Sequence, residues 1–311
     1  MIRKDVVFLK VPLRISGHHA TLDILTANVR RSFPVLQRRC HPVLCLLLCP
    51  LFFAACQREA PPAKPVAAPA TTSSATAVDA PTTAVLQDVS ERDPRYMIGI
   101  SYPPVANQYP GLATELKRYA DSARNDLLQA VAGLGAGKPT APYELSLSFT
   151  QVALTPQLVA IAADGSSYTG GAHGNPLLAR FVWLPQQDKL LTAADLVPDP
   201  KSWRDISDRV REQLQAALSQ RVDADDLPPA DRAEVVKNAA HMIDEGTGPQ
   251  VANFAQFEPV LAADGRIAAL RFVFAPYQVG PYSDGTQTVD VPADVLLAKI
   301  APAYRPLFVG G

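Results

Sequence analysis

The chain has 311 residues, a formal net charge of −1, and 48% hydrophobic against 19% charged residues. That balance gives no electrostatic reason to expect nucleic acid or an anionic membrane surface as a partner, and the apolar content is that of an ordinary globular body. All four cysteines, Cys40, Cys45, Cys49 and Cys56, lie in or beside one apolar run, which excludes a disulfide framework, a thiolate metal centre or a cysteine nucleophile in everything that follows.

Residues 1–35 are a mixed polar stretch and read as an extension upstream of the true start. Residues 36–56 carry Arg38 and Arg39, then an apolar run ending in small residues. About 14 apolar residues after a basic patch describe a secretory signal and fall short of the ~20 needed to cross a membrane. The end of the run, Phe53-Ala54-Ala55-Cys56, resembles the bacterial lipobox. That likeness implies a palmitate-bearing lipoprotein whose lipidated Cys56 becomes the mature N-terminus. Gln57 stands where an aspartate would signal inner-membrane retention, so the expected location is the outer membrane, facing the periplasm. Residues 57–90 are dominated by alanine, proline, threonine and serine. Such a segment cannot bury enough surface to offset its ordering entropy and reads as a disordered tether.

The folded part divides into a unit over 91–187 and a second over 188–311. The run 96–102 is β-prone and is stopped by Pro103 and Pro104. Leu112, Leu116, Ala120, Ala123, Leu127 and Val131 then recur at helical spacing, with glycines 133, 135 and 137 at the end. Residues 143–149 alternate, with Glu144, Ser146 and Ser148 on the wetter face. Two further strands, 158–162 and 178–184, flank a glycine-rich loop. Residues 189–196 form a connector. Ser202 with Asp205 reads as a capping box opening a helix with Trp203, Ile206, Val210, Leu214 and Leu218 on one stripe. A second helix over 229–245 has Ala233, Val236, Ala240 and Ile243 as its apolar face. Strands follow at 254–260, 267–274 and 286–291, the first two joined by a turn at 263–266, and a short helix spans 292–300. This order predicts an α+β fold, mainly antiparallel sheet with helices packed on one side, in two intimately packed subdomains.

The loop Tyr168-Thr169-Gly170-Gly171-Ala172-His173-Gly174-Asn175 holds three glycines in eight residues. Glycines at that density suit positive φ or a close backbone approach. His173 can lock the loop by bonding to backbone, touch a ligand, or serve as a base or metal ligand. A catalytic zinc needs about three protein ligands, and no second histidine stands at ligand spacing; neither metal nor cofactor is expected. Tyr277 and Tyr282 lie in turns beside proline and glycine, where exposed rings suit sugar or protein recognition or simply pin the loops. The candidate ligand-binding residues are therefore Tyr168, His173, Asn175, Tyr277 and Tyr282. The acidic cluster Asp223, Asp225 and Asp226 lacks the spacing of a calcium loop.

The segment 168–175, the segment 189–196, Phe272-x-Phe274-x-Pro276-Tyr277 and Pro281-Tyr282-x-x-Gly285 together resemble the RsiV-like extracytoplasmic family. That family joins a small N-terminal α/β unit, also found beside peptidoglycan deacetylases, to a C-terminal domain of unknown function 3298. Its members include an anti-sigma factor whose outer domain binds lysozyme. The resemblance implies the fold and a cell-envelope location; the expected function is that of a lipid-anchored, non-enzymatic domain that binds a peptidoglycan fragment or a lysozyme-like protein. The alternatives are a cell-wall glycan hydrolase or deacetylase-associated enzyme using loop carboxylates such as Asp164, Asp264 or Asp284, or a purely structural envelope protein. Two acids at a fixed separation would be needed for glycan hydrolysis.

Overall fold

The computed structural model describes residues 85–224 and 227–311. The signal segment, Cys56, most of the tether, Asp225 and Asp226 lie outside the described residues. Ordered structure begins earlier than the expected tether end at 90. Leu86 is buried and its N–H donates to Asn107 Oδ1 at 2.7 Å, so one apolar side chain and one satisfied amide fix the chain ahead of the first strand.

The first sheet holds β1 (Val89–Asp93), β2 (Tyr96–Ser101), β3 (Tyr143–Leu154), β4 (Val159–Tyr168), β5 (Asn175–Leu184) and β6 (Lys189–Leu190), side by side in that order. Every neighbouring pair is antiparallel except β2 with β3. Parallel neighbours need a crossover, and α1 (Pro110–Gly133) supplies it. The sheet is thus mainly antiparallel, as expected, with one parallel pair. β1 was not expected at all: its sequence Val-Ser-Glu-Arg-Asp is charged, as suits an edge strand that must not recruit another chain.

The alternation in β3 decides the faces. Leu145, Leu147 and Phe149 are buried with Ile98, Ile100 and Ile161, beneath Leu112, Leu116 and Leu127 of α1. On the opposite face of the sheet Ala160, Val182 and Leu184, with Ala153 and Leu158, join a different core. That core belongs to α2 (Ala193–Leu196), α3 (Ser202–Ala224), α4 (Pro229–Gly246), β7 (Phe257–Leu261), β8 (Ile267–Phe274), β9 (Gln287–Pro292) and α5 (Ala293–Leu296). The three strands form an antiparallel sheet in the order β7-β8-β9. At its centre Phe254 stacks on Trp203 with centroids 5.3 Å apart and meets Phe272 edge-on at 5.3 Å. The architecture is α+β. No helix among the described residues is long and apolar enough to cross a membrane.

Arg180 on β5 ties the two sheets together. Its backbone N–H donates to Gln256 Oε1 at 2.7 Å, its Nε to Glu258 Oε2 at 3.1 Å and its Nη1 to Asp164 Oδ1 at 3.0 Å. The guanidinium side chain is only 8% exposed, so its charge is held by these partners rather than by water.

Several local expectations need correction. The capping box is not at Ser202 and Asp205. It forms at Thr192 and Asp195, where the Thr192 hydroxyl accepts from the Asp195 N–H at 3.1 Å and the carboxylate accepts from the Thr192 N–H at 3.0 Å. Asp205 instead pairs with Lys299, and Ser202 donates to Asp199. On α4 only Ala239 and Ile243 are buried; Ala233 is exposed and Val236 and Ala240 are half-buried. Residues 251–254 form a 3-10 turn ahead of β7, and α5 is four residues long.

Candidate functional site

The site is built from two turns that are far apart in sequence. The first joins β4 to β5. Tyr168 and Asn175 sit on the strand ends that flank it, with Ser167 opposite Asn175 in the ladder. Gly170 and Gly171 take φ of 100° and 102°, with open space where a Cβ would stand. These angles belong to glycine, and they reverse the chain so that His173 projects outward. The Tyr168 hydroxyl donates to the Gly171 carbonyl at 3.3 Å.

The second turn follows β8. Pro276 cannot extend the ladder, and Tyr277 turns the chain at φ 74°. A non-glycine side chain in that region is strained and marks a place worth functional attention. Here the strain is held by the structure around it. The Tyr277 N–H donates to the Gly280 carbonyl at 3.0 Å, and Val279 and Gly280 are buried. Gln278 Nε2 donates to the carbonyls of Gly246 at 3.2 Å and Asn253 at 2.9 Å. Further along, Asp284 pairs with Arg221 of α3 at 2.7 Å. The backbone is thus fixed to two helices and a 3-10 turn, while the Tyr277 side chain stays 53% exposed.

His173 and Tyr277, 104 residues apart, meet. His173 Nε2 lies 2.8 Å from the Tyr277 hydroxyl, and His173 Nδ1 lies 3.0 Å from the Gly174 carbonyl. A carbonyl can only accept, so Nδ1 carries the hydrogen; with a single ring hydrogen there, Nε2 accepts from the Tyr277 hydroxyl. The imidazole also stacks on Tyr282, centroids 3.9 Å apart and planes 13° apart, with Tyr277 and Tyr282 at 5.7 Å. Of the five candidate residues, His173, Tyr277 and Tyr282 form one ring cluster, with His173 and Tyr277 exposed and Tyr282 half-buried. Tyr168 is spent on its own loop backbone, and Asn175 lies at the start of β5, exposed, with no recorded bond to the three rings.

The carboxylates offered for enzyme chemistry are each engaged by an arginine: Asp164 by Arg180 at 3.0 Å, Asp264 by Arg266 at 2.8 Å and Asp284 by Arg221. The Arg266 backbone N–H, and then its guanidinium, hold the Asp264 carboxyl below its ordinary value, the opposite of what a general acid requires. Among the described residues no three His, Cys, Asp or Glu side chains gather as metal ligands would. A cleft of about 350 Å³ lies at the open edge of β5, lined by Arg180, Phe181, Leu191, Ala193, Ala252 and Gln256 among others. None of the five candidates lines it, and sequence reading gave no signal for it because its walls are scattered alanines and leucines.

Residues 89–176 match the family model described as deacetylase PdaC, and residues 194–294 match the one described as a protein of unknown function, DUF3298. None of the curated proteins matches. Among solved structures, a member of the DUF3298 family from Bacteroides fragilis is 16% identical, with a TM-score of 0.44 over 70% of this chain and 93% of its own. A DUF3298 family protein from Pseudomonas aeruginosa is also 16% identical, with a TM-score of 0.40 over 72% of this chain and 96% of its own. On these matches the chain is similar to the PdaC family over residues 89–176 and to the DUF3298 family over residues 194–294.

Proposed function

We propose that this protein is a non-enzymatic binding module of the bacterial cell envelope, tethered by a lipid on Cys56, and that the turn carrying Tyr277 and Tyr282, on which His173 packs, is its contact surface for peptidoglycan glycan. The observation that carries the reading is the convergence of these rings at the surface, two of them exposed and Tyr282 half-buried, on a turn held in a strained conformation by buried neighbours. Strain kept in place by surrounding structure is a recurrent feature of functional sites. Tyrosine suits the task, since it combines an apolar ring with a hydroxyl that can bond a polar ligand. The carboxylates support the same reading. Asp164, Asp264 and Asp284 each pair with a guanidinium.

The test is cosedimentation of the full chain with purified peptidoglycan sacculi, beside capture on immobilised lysozyme. Retention by sacculi that is lost in Tyr282→Ala supports the proposal. Retention by lysozyme alone moves the ligand to a protein, and retention by neither refutes binding of both envelope partners. Release of product from the sacculi by the wild-type chain would turn the account toward an enzyme.

A further inference from the structure

The two halves of the cluster are held unequally. The 277–285 turn is braced by the buried Val279 and Gly280, by the two Gln278 bonds and by the Arg221–Asp284 pair. The loop that carries His173 is exposed from Gly170 to His173 and turns on two glycines with empty space beside them. Its recorded polar link to the braced turn is the single bond from Tyr277 to His173 Nε2. A light arm therefore lays its imidazole on a fixed pair of tyrosines.

What the imidazole does there is what a sugar would do. It covers one face of Tyr282 at 3.9 Å and offers an acceptor to the Tyr277 hydroxyl at 2.8 Å. A pyranose ring presents the same two features, a face of C–H groups that packs on an aromatic ring and oxygen acceptors at its rim. Building on the binding reading above, we propose that His173 is a built-in occupant of the site. A sugar ring of the glycan displaces it from Tyr282, and residues 169–174 swing outward about Gly170 and Gly171 to admit it. The chain then holds its own site covered until a glycan competes for it, and the apparent affinity falls by the fraction of molecules that are covered.

The experiment is calorimetric titration of the full chain with solubilised peptidoglycan glycan strands, using wild type, His173→Ala, Tyr282→Ala and the double variant. His173 is exposed, so its removal leaves the core intact, which thermal melting checks. Self-covering predicts that His173→Ala binds more tightly than wild type by the inverse of the uncovered fraction, about tenfold where one molecule in ten is open. It also predicts that Tyr282→Ala loses binding with or without His173. Equal or weaker binding by His173→Ala, with binding still lost in Tyr282→Ala, makes His173 an ordinary contact: the inference falls and the binding function stands. No binding by wild type or His173→Ala overturns both. Hydrogen exchange supplies a second reading. His173→Ala should speed exchange at 169–174 and leave 277–285 unchanged; acceleration in both segments contradicts the unequal bracing.

Discussion

Replacing Gly246 with alanine tests how the site is held. A Cβ there would lie 1.9 Å from the Gln278 carbonyl oxygen and 2.7 Å from its carbon. Those are backbone atoms of a turn whose next two residues are buried, so they cannot rotate away as a side-chain tip would. The turn must shift, and Gln278 then loses its bonds to Gly246 and Asn253. Two hydrogen bonds at about 1 kcal/mol each, with about 1–3 kcal/mol for the forced overpacking, make the expected loss about 3–5 kcal/mol. For an ordered body of this size such a loss lowers Tm by roughly 10 °C. Urea and thermal unfolding followed by circular dichroism measure it, and hydrogen exchange shows whether 277–285 loosens first. The control is Gly99→Ala, where nothing lies within 4 Å of the new methyl and a change within about 0.5 kcal/mol is expected. If Gly246→Ala melts within a degree of wild type and leaves exchange at 277–285 unaltered, the bracing argument is wrong.

Three further outcomes follow from the core and its ionisable groups. Burial, and then the carboxylates of Asp121 and Asp88, push the Tyr102 hydroxyl up to about 12. The folded state thus keeps its proton longer than the unfolded one. The stability this gives is complete below the ordinary phenol value and is lost as pH rises from about 10 toward 12; Tyr102→Phe should flatten the alkaline part of the urea-midpoint profile. Burial disfavours the Asp195 carboxylate, but hydrogen bonds from Lys189 and Thr192 outweigh it and hold the group below its ordinary value. That contribution is present above the ordinary carboxylate value and is lost as pH falls through the lowered one, so Asp195→Asn should show a shallower acid limb below about pH 4. Arg180→Met leaves Glu258, 14% exposed, with only Arg271 at 3.7 Å as a cation. Removing one partner of a buried pair costs about 3 kcal/mol or more, readable as a lower urea midpoint at unchanged slope.

Much of the fold was legible because short-range pattern and long-range packing agree. The alternation of β3 and the heptad-like stripe of α1 place the same residues in the core that the sequence placed there, Leu145, Leu147 and Phe149 facing Leu112, Leu116 and Leu127. Pattern failed where it had no partner to act against. The apolar positions of α4 predicted a full buried face, but Ala233 has nothing packed on it, since periodicity reports what a helix could bury and not what reaches it. The capping signature at Ser202 was equally good in sequence, yet Asp205 is taken by Lys299 from 94 residues away. β1 escaped notice because a charged edge strand lacks the apolar alternation that announces an inner one. For the site, composition singled out His173, Tyr277 and Tyr282 as residues in glycine- and proline-rich turns. Their meeting was not readable, since nothing local encodes a contact across 104 positions. Arg180, the residue that ties β5 to β7, gave no signal at all, because a lone arginine in an apolar strand has no motif.

The most direct test of the central claim is chemical-shift mapping of the isotope-labelled chain during titration with solubilised peptidoglycan glycan strands. The account predicts that perturbed amides concentrate at 168–175 and 277–285 and that Tyr282→Ala abolishes them. Perturbations gathered instead around the cleft at 179–181 and 251–256, with those two turns silent, would contradict it.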